Sequence, residues 1–325
     1  MGFSLSREIK YISSMLRMLR SVKSVDASSD ILIADELEMR VDAYGGNVAF
    51  IEGERQLTYD EMETYANRVA AWAKGQGLGQ GDCVAFFARN RLEYIPLWFG
   101  LTKLGIIPAL LNYQLSGKAL AHCVNISDVA HVIMDVEMAD QWIATKDQVE
   151  GDPKVWAAFG EVEGYESFDH AISDLRPDRP AKSVRDGLTA GGQAMKMFTS
   201  GTTGLPKAAK ITHVRAQNYL RGIGRGAKAT ASDRMMMVLP MYHATGGLVG
   251  CGAMLTNGGA VVIIPKFSAS KFWDDAVKYG ATMFTYVGEL CRFLLSQPPT
   301  DNERKHKISW IIGCLLYTSP SPRDS

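Results

Sequence analysis

Eleven consecutive residues near the middle of the chain combine hydroxyl groups, glycines and a lysine in a pattern that suits phosphate binding. Residues 197–207 read Met-Phe-Thr-Ser-Gly-Thr-Thr-Gly-Leu-Pro-Lys. Gly201 and Gly204 lack a Cβ atom, so a polyanion can approach the backbone N–H groups, and Lys207 adds a positive charge. The hydroxyl donors are Thr199, Ser200, Thr202 and Thr203. This chemistry predicts a cradle for nucleotide phosphates.

The segment differs from the common phosphate-binding loop of nucleotide hydrolases. The G-x-x-x-x-G-K-[ST] spacing is absent, and Pro206 stands directly before Lys207. Short motifs rich in glycine and threonine also occur as plain surface loops, so the residues of the loop leave that alternative open.

The overall composition is that of a globular protein without an excess of either charge. Of the 325 residues, 46% are hydrophobic and 22% are charged, and this length predicts one large domain or two subdomains. Lys plus Arg and Asp plus Glu number 35 each, so no general electrostatic field attracts nucleic acid. We therefore expect no nucleic-acid partner.

The cysteines are few and scattered. They are Cys83, Cys123, Cys251, Cys291 and Cys314, with no C-x-x-C pair among them. An odd, scattered set predicts neither a disulfide framework nor a zinc site, and a reducing compartment is the simplest inference. We expect a cytoplasmic protein, or one that is peripheral on the cytoplasmic face of a membrane.

A stretch without any charged residue lies between Arg234 and Lys266. It is long enough to span a bilayer, for which about 20 apolar residues suffice. Prolines and glycines divide it into a strand, a helix and a second strand, a pattern typical of a buried α/β core. We predict a buried core here rather than a membrane span.

The N-terminal segment from Arg7 to Lys23 has apolar residues at helical spacing, with five basic side chains against one acidic one. A basic amphipathic helix can lie on an anionic membrane, and residues 2–6 fit the weak N-myristoylation pattern. The alternative is a helix that packs on its own domain and turns its charged face to solvent. We favour this second interpretation, because amphipathic helices commonly cover a core.

Predicted strands and helices alternate along the chain. The predicted strands are 47–52, 56–58, 83–88, 107–111, 132–135, 235–239, 261–265 and 283–287. The predicted helices are 37–44, 58–75, 92–104, 118–124, 214–222, 249–255, 274–279 and 289–295. Thr58 and Glu61 form a capping-box pattern at the start of the second helix. This alternation predicts an α/β fold with two wound, mainly parallel sheets flanked by helices.

The chain divides on this basis into four segments. Residues 1–30 form the basic N-terminal segment, and residues 31–190 form a first α/β subdomain. Its more polar part, 151–192, predicts an excursion between the two sheets. Residues 191–313 form a second α/β subdomain that starts with the phosphate-binding loop. Residues 314–325 are expected to be an unrelated or disordered tail.

Further motifs accompany the phosphate-binding loop. They are Ala-Leu-Leu-Asn-Tyr at 109–113, Leu-Pro-Met-Tyr-His at 239–243, Lys-Phe-Ser-Ala-Ser at 266–270 with Phe272-Trp273, and Tyr-Val-Gly-Glu-Leu-Cys-Arg at 286–292. With these motifs, residues 57–310 resemble the very-long-chain acyl-CoA synthetases, a branch of the adenylate-forming (AMP-binding) superfamily that includes the fatty-acid transport proteins. The resemblance implies that ATP and Mg²⁺ convert a fatty acid to an acyl-adenylate, whose acyl group passes to coenzyme A.

The resemblance also implies roles for individual residues. The phosphates of ATP would be held by Thr199, Ser200, Gly201, Thr203, Gly204 and Lys207. Thr202 would help to hold Mg²⁺, and the implied catalytic set is Thr202, Lys207 and His243. Tyr242 and His243 would border the acyl and adenine pockets, with Gly288 and Glu289 near the acyl tunnel. Two alternatives remain: His243 as a core histidine, and Glu289 as a cap of the following helix.

The chain departs from the family pattern after Gly313, where the resemblance implies a glycine-rich adenine-binding turn. The glutamate that shares Mg²⁺ with Thr202, the carboxylate that binds ribose, and the C-terminal domain with its catalytic lysine have no counterpart in residues 314–325. The sequence therefore predicts an incomplete N-terminal domain of the adenylate-forming fold, inactive by itself.

The predicted function is that of an ATP-dependent ligase of long or very long fatty acids and coenzyme A. One alternative is a ligase for another carboxylate, such as a bile acid, a carnitine-like acid or an aryl acid. A second alternative is a membrane-associated protein for fatty-acid binding or uptake, which the basic N-terminal segment would support.

Overall fold

The computed structural model describes residues 5–22, 25–199 and 204–314. The strands are β1 Val48–Glu52, β2 Arg55–Thr58, β3 Cys83–Phe87, β4 Ile107–Leu110, β5 His131–Asp135, β6 Lys154–Ala158, β7 Glu166–Ser167, β8 Gln193–Thr199, β9 Lys207–Thr212, β10 Arg234–Met237, β11 Ala260–Ile263, β12 Met283–Val287 and β13 Trp310–Cys314. The helices are α1 Leu5–Val22, α2 Ile33–Tyr44, α3 Tyr59–Gly75, α4 Tyr94–Thr102, α5 Gly117–Asn125, α6 Ala139–Ile143, α7 Phe168–Ser173, α8 His213–Ala227, α9 Cys251–Leu255, α10 Phe272–Lys278 and α11 Leu290–Leu295. The segment Ala244–Gly250, directly before α9, is a π-helix.

The strands of the described residues form two sheets, as predicted. The six-stranded sheet has the order β13-β12-β10-β11-β1-β2, and the seven-stranded sheet has the order β7-β6-β5-β3-β4-β8-β9. All neighbours are parallel except two antiparallel pairs, β1 with β2 and β8 with β9. The predicted α/β fold with two mainly parallel sheets is confirmed.

The division of the chain at residue 190 does not separate the two sheets. Strand β1, from the first predicted subdomain, pairs with β11 through Phe50 and Val261. Strand β8, from the second, pairs with β4 through Leu110 and Met197. Each sheet therefore takes strands from both sides of residue 190, because strand pairing follows non-local packing and not chain order.

Part of the polar region 151–192, which was predicted as an excursion between the two sheets, adds two strands to the seven-stranded sheet. Strand β6 extends the sheet beside β5, and β7 continues it. Only Trp156, Ala157 and Ala158 of β6 are buried, so the apolar signal of this strand is short. Strand β13 was also missed; it runs through Cys314, one residue past the predicted boundary at 313.

Two local features that the sequence predicts, a helix cap and a buried strand, are present in the structure. The Thr58 side chain accepts a hydrogen bond from the Glu61 N–H at 3.2 Å, and the Glu61 carboxylate accepts one from the Thr58 N–H at 2.8 Å. This reciprocal pair is the predicted capping box at the start of α3. Strand β3 is buried along its whole length, as expected for a parallel strand with both faces covered.

The charge-free stretch forms β10, the π-helix with α9, and β11, which confirms the predicted strand, helix and strand. Strand β11 is buried throughout, and so is α9. None of the helices within 5–22, 25–199 and 204–314 combines the length and the apolar character needed to cross a membrane.

Helix α1 packs on α8, the interpretation that the sequence favours. The Ser14 hydroxyl donates to the Gly226 carbonyl oxygen at 2.8 Å, and the Arg17 Nη2 group donates to the same oxygen at 2.9 Å. A Cβ atom on Gly226 would lie 3.3 Å from the Ser14 oxygen, so the two helices approach closely at this glycine. The side of α1 that carries Ile12 and Leu16 is nonetheless exposed.

A buried cluster of charged side chains links α2 and α3 with segments farther along the chain. The Lys103 ammonium, which is fully buried, lies 2.8 Å from Glu38 and 2.6 Å from Glu63. Arg185 pairs with Glu38 at 3.0 Å, and Arg179 pairs with Glu63 at 2.7 Å. Every carboxylate of this group thus has more than one cationic partner.

Candidate functional site

The candidate site lies where the carboxyl ends of parallel strands from both sheets come together. Strands β4 and β8 are parallel neighbours, so the loops that follow Leu110 and Thr199 leave the seven-stranded sheet at the same edge. In α/β sheets, ligands bind at the carboxyl ends of the strands. The segment 239–243 follows β10 of the six-stranded sheet and faces this edge.

The phosphate-binding loop connects two antiparallel strands. Thr199 at the end of β8 is the cross-strand partner of Lys207 at the start of β9, and both side chains are exposed. The predictions for Ser200, Gly201, Thr202 and Thr203 concern residues outside those that the structure describes. Strand β9 and not a helix follows the loop, so the loop does not lead into a helix N-terminus of the kind that often binds phosphate.

Two further features define the returning side of the loop. Gly204 has φ of +156°, a backbone conformation that glycine adopts most readily. The His122 Nε2–H group, at the end of α5, donates to the Pro206 carbonyl oxygen at 3.1 Å. His122 was not among the residues predicted for the site, because no local pattern connects it with a residue so far along the chain.

Tyr242 meets Tyr113, which follows β4 in the other sheet. The two rings lie edge to face, with centroids 5.3 Å apart and planes at 84°. Burial raises the pKa of Tyr242 to about 12 and also raises the pKa of Tyr113. Both phenols are therefore protonated at neutral pH and can donate a hydrogen bond.

His243 is exposed, so it is not the core histidine that was the alternative interpretation. Its ring lies 6.2 Å from the ring of Tyr242, and its backbone N–H donates to the Pro240 carbonyl oxygen at 3.2 Å. Partial burial lowers the pKa of the imidazole, so His243 is neutral at pH 7. A neutral imidazole can donate or accept a hydrogen bond without adding a charge to the site.

The π-helix packs closely against the 239–243 turn. A Cβ atom on Gly246 would lie 2.3 Å from the Pro240 carbonyl oxygen, and one on Gly247 would lie 2.1 Å from the Met241 carbonyl oxygen. Only glycine permits so close an approach of two backbones. π-Helical turns are rare in proteins, and those that occur often lie at functional sites, which agrees with this placement.

Gly288 and Glu289 follow β12, the neighbour of β10, and so lie at the same edge of the six-stranded sheet as Tyr242. Gly288 has φ of +52°, which favours glycine. The exposed Glu289 carboxylate pairs with Arg292 at 2.9 Å. Glu289 occupies the N-cap position of α11 without a capping hydrogen bond from its side chain. The alternative role of a capping side chain is therefore not seen.

No group of three or more His, Cys, Asp or Glu side chains within 5–22, 25–199 and 204–314 could hold a metal ion. Thr202, the residue assigned to Mg²⁺, is outside these ranges. The thiols of Cys83, Cys123, Cys251 and Cys291 are free.

The fold and this site define the class of protein. The family model described as AMP-binding enzyme matches residues 37–320, and the chain belongs to this family. The match extends past Gly313, where the sequence resemblance was expected to end.

Individual relatives agree with this membership. Long-chain fatty acid transport protein 6 of Mus musculus is 36% identical over 260 residues, which are 79% of this chain and 42% of the relative. The medium/long-chain-fatty-acid–CoA ligase FadD6 of Mycobacterium tuberculosis is 33% identical over 293 residues, 88% of this chain and 47% of the relative. The chain thus spans less than half the length of these relatives.

A solved structure shows the same fold. The N-terminal domain of FACL13 from Mycobacterium tuberculosis superposes with a TM-score of 0.72 at 21% identity, covering 87% of this chain and 69% of that domain. The two sheets described above are therefore those of the N-terminal domain of adenylate-forming enzymes.

Proposed function

We propose that this chain is part of an ATP-dependent ligase that joins long or very long fatty acids to coenzyme A through an acyl-adenylate. The observation that carries the proposal is the placement of two motifs at one edge. The hairpin closed by Thr199 and Lys207 leaves the same sheet edge as the loop of Tyr113, and Tyr113 contacts Tyr242 of the other sheet.

The proposed first step forms a bond between a fatty-acid carboxylate oxygen and the α-phosphorus of ATP, and breaks the bond to pyrophosphate. The exposed Lys207 ammonium offsets negative charge on the phosphate oxygens, and the hydroxyl of Thr199 donates to them. Backbone donors at 200–204 complete the cradle in this proposal. Preorganised donors of this kind are commonly the largest single contribution to catalysis.

Tyr242 and His243 border the pocket that takes the acyl and adenine groups in this proposal. Both side chains are neutral at pH 7, because burial raises the pKa of Tyr242 and lowers that of His243. A neutral border suits an apolar acyl chain, since no charge must lose its hydration when the chain binds. Gly288 and Glu289 are proposed to lie near the entrance for that chain.

In the proposed second step, the thiol sulfur of coenzyme A bonds to the acyl carbon, AMP leaves, and the thiol proton is released. Magnesium would be held in part by Thr202 and would offset phosphate charge. The described residues contain no acidic cluster to complete its ligands, so no step is assigned through the metal.

Helix α1 supports a second proposal, peripheral contact with the cytoplasmic face of a membrane. Ile9, Ile12, Leu16 and Leu19 form a stripe on α1 with exposed fractions of 59%, 55%, 49% and 49%. Arg20, Arg221 and Arg225 line a neighbouring cavity of about 440 Å³ together with Arg17. An exposed apolar stripe beside cationic side chains suits an anionic bilayer surface.

ATP–pyrophosphate exchange by the full-length protein tests the proposed ligase. We expect exchange that depends on palmitate or a longer fatty acid and that exceeds exchange with cholate, a carnitine-like acid or benzoate. Lys207→Ala should lower the rate about 10²–10³-fold, as removal of one such donor typically does. Lys210→Ala is the matched control, because Lys210 is exposed on the same strand, three residues farther from the loop.

Two results would overturn this function. One is the absence of exchange with every carboxylic acid in the panel. The other is an equal effect of Lys207→Ala and Lys210→Ala, which would remove the phosphate-binding role from the hairpin. If the exchange rate is highest with cholate or benzoate, the protein is still a ligase, but its substrate is another carboxylate and not a fatty acid.

A further inference from the structure

One buried side chain connects the seven-stranded sheet with the 239–243 turn of the candidate site. Asn90 lies in the loop between β3 and α4 and is 6% exposed. Its Nδ2 group donates to the Leu239 carbonyl oxygen at 2.8 Å. Its Oδ1 atom accepts from the Met241 N–H, also at 2.8 Å. The amide therefore binds the 239–243 turn at two points.

The two hydrogen bonds flank Pro240. Proline has no N–H group, so this turn cannot close through a donor at its own centre. The Asn90 amide supplies a donor and an acceptor to the polar groups on either side, and Tyr242 follows Met241 directly. Aspartate lacks the donor and alanine lacks both groups, so asparagine is the residue type that fits.

The position of Asn90 gives these bonds a consequence beyond local packing. Strand β3 is the central strand of the seven-stranded sheet, and β10 is an inner strand of the six-stranded sheet. Asn90 follows β3, and the turn it binds follows β10. The contact between Tyr113 and Tyr242 lies beside it, since Tyr113 follows β4, the direct neighbour of β3, and Tyr242 follows β10.

We propose that Asn90 is a positioning residue: its side-chain amide holds the 239–241 backbone so that Tyr242 stays against Tyr113 and His243 faces the site. This role rests on the proposed function for its effect on adenylation, while the clamp itself can be measured without any activity. Asn90 touches no reacting atom in this scheme and acts through the turn alone.

Asn67 provides a matched control. It is also buried, at 4% exposed, and its Nδ2 group donates to the Pro177 carbonyl oxygen at 3.0 Å. Asn67 lies on α3, outside both the loop of Asn90 and the 239–243 turn. Asn67→Ala therefore removes an amide-to-carbonyl hydrogen bond next to a proline without touching the 239–243 turn.

Two measurements on the full-length protein test the clamp. Hydrogen exchange at the Met241 amide should become several-fold to about tenfold faster in Asn90→Ala, the range expected for one lost hydrogen bond, and should not change in Asn67→Ala. Asn90→Asp keeps the acceptor for Met241 and should show a smaller increase. Fluorine NMR of protein labelled with 3-fluorotyrosine should show a moved Tyr242 resonance in Asn90→Ala only, with Tyr242→Phe used for assignment.

Adenylation kinetics test the consequence for the site. Displacement of a positioning group by about 1 Å can cost about 10²-fold in rate, so we expect kcat for adenylation to fall about 10–100-fold in Asn90→Ala. The KM for ATP should change less than kcat, because the β8–β9 hairpin proposed to hold the phosphates is unaffected. Asn90→Asp should recover part of the lost kcat, and Asn67→Ala should keep the wild-type value.

Wild-type exchange at Met241 or an unmoved Tyr242 resonance in Asn90→Ala would overturn the clamp. A wild-type kcat together with faster exchange would show that the clamp exists but does not position the site, and would overturn the role. Absence of adenylation in the wild-type protein would instead reject the proposed function. The exchange and fluorine measurements would still decide the clamp in that case.

Discussion

Tyr113 and Tyr242, which come from different sheets, lie edge to face with ring centroids 5.3 Å apart. Tyr113 follows β4 in the seven-stranded sheet, and Tyr242 follows β10 in the six-stranded sheet. The contact therefore joins two elements that the chain order keeps more than a hundred residues apart. Tyr113 also follows the strand next to β8, from which the β8–β9 hairpin leaves the sheet.

This aromatic pair should contribute measurably to stability. We expect a coupling free energy of about 0.5–1.5 kcal/mol between the two rings, the range for aromatic pairs beyond their buried area. Urea unfolding of Tyr113→Leu, Tyr242→Leu and the double variant measures it. Tyr113→Phe should keep the coupling, because the ring remains. A coupling of zero would show that the rings are neighbours without interacting.

Thr202→Ala should lower the adenylation rate of the full-length protein about 10²–10³-fold, because the hydroxyl is proposed to offset charge that develops at the phosphates. Circular dichroism should remain that of the wild type. Thr300→Ala is the control, since Thr300 is exposed and makes no capping hydrogen bond. An unchanged rate in Thr202→Ala would remove this residue from the site.

Folding stability should decrease as the pH is lowered, because of His213. Burial lowers the pKa of this histidine to about 4, and its Nδ1 atom accepts a hydrogen bond from the Ile33 N–H at 3.3 Å. Since the pKa in the unfolded chain is about 6.5, the unfolded state binds the proton first as the pH drops. The stability present above pH 6.5 is thus lost progressively toward pH 4.

Urea unfolding at pH 7 and pH 4.5 measures this loss. We expect the wild type to lose roughly 2–3 kcal/mol more than His213→Asn between these pH values, from the shift between the two states. Asparagine retains an acceptor near the position of Nδ1 and does not titrate. His170→Asn, at an exposed position, should follow the wild type. Parallel pH curves for the wild type and His213→Asn would contradict this explanation.

Lys103→Met should destabilise the protein by up to about 3–5 kcal/mol, because Glu38 and Glu63 each lose one of their cationic partners at a buried site. Thermal and urea unfolding measure the change. Lys154→Met is the comparison, since its pair with Glu166 is largely exposed and should be worth less than about 1 kcal/mol. Equal effects of the two substitutions would show that burial of the Lys103 group is energetically unimportant.

Contact of α1 with a membrane should be peripheral and sensitive to salt. Flotation with anionic liposomes should decrease in Ile12→Ser with Leu16→Ser, and also at high ionic strength, because charges are screened within about 8 Å at physiological salt. Ile126→Ser with Ile143→Ser alters two exposed apolar residues elsewhere and should float as the wild type does. Retention through both high salt and carbonate washing would indicate an integral anchor instead.

Much of the secondary structure could be predicted because its causes are local. The capping box of Thr58 and Glu61 lies within four residues, and the continuous apolar run of β3 shows a strand covered on both faces. Strands β6, β7, β8, β9 and β13 are absent from the predicted strands. The apolar signal is short in β6, which has three buried residues, and in β9, which has one, and β13 lies at the end of a polar segment. Short strands become recognisable only through the neighbours with which they pair.

The sequence alone determined the chemistry of the site: a loop of hydroxyls and glycines with Lys207, and the Tyr242–His243 motif. Tertiary structure decided which residues surround these groups. His122 binds Pro206 across 84 residues, and Asn90 binds Met241 across 151 residues. It also decided that His243 is exposed and that both sheets draw strands from either side of residue 190. Partners so distant along the chain meet only through the pairing of parallel strands and the packing of one sheet against the other, which no local pattern encodes.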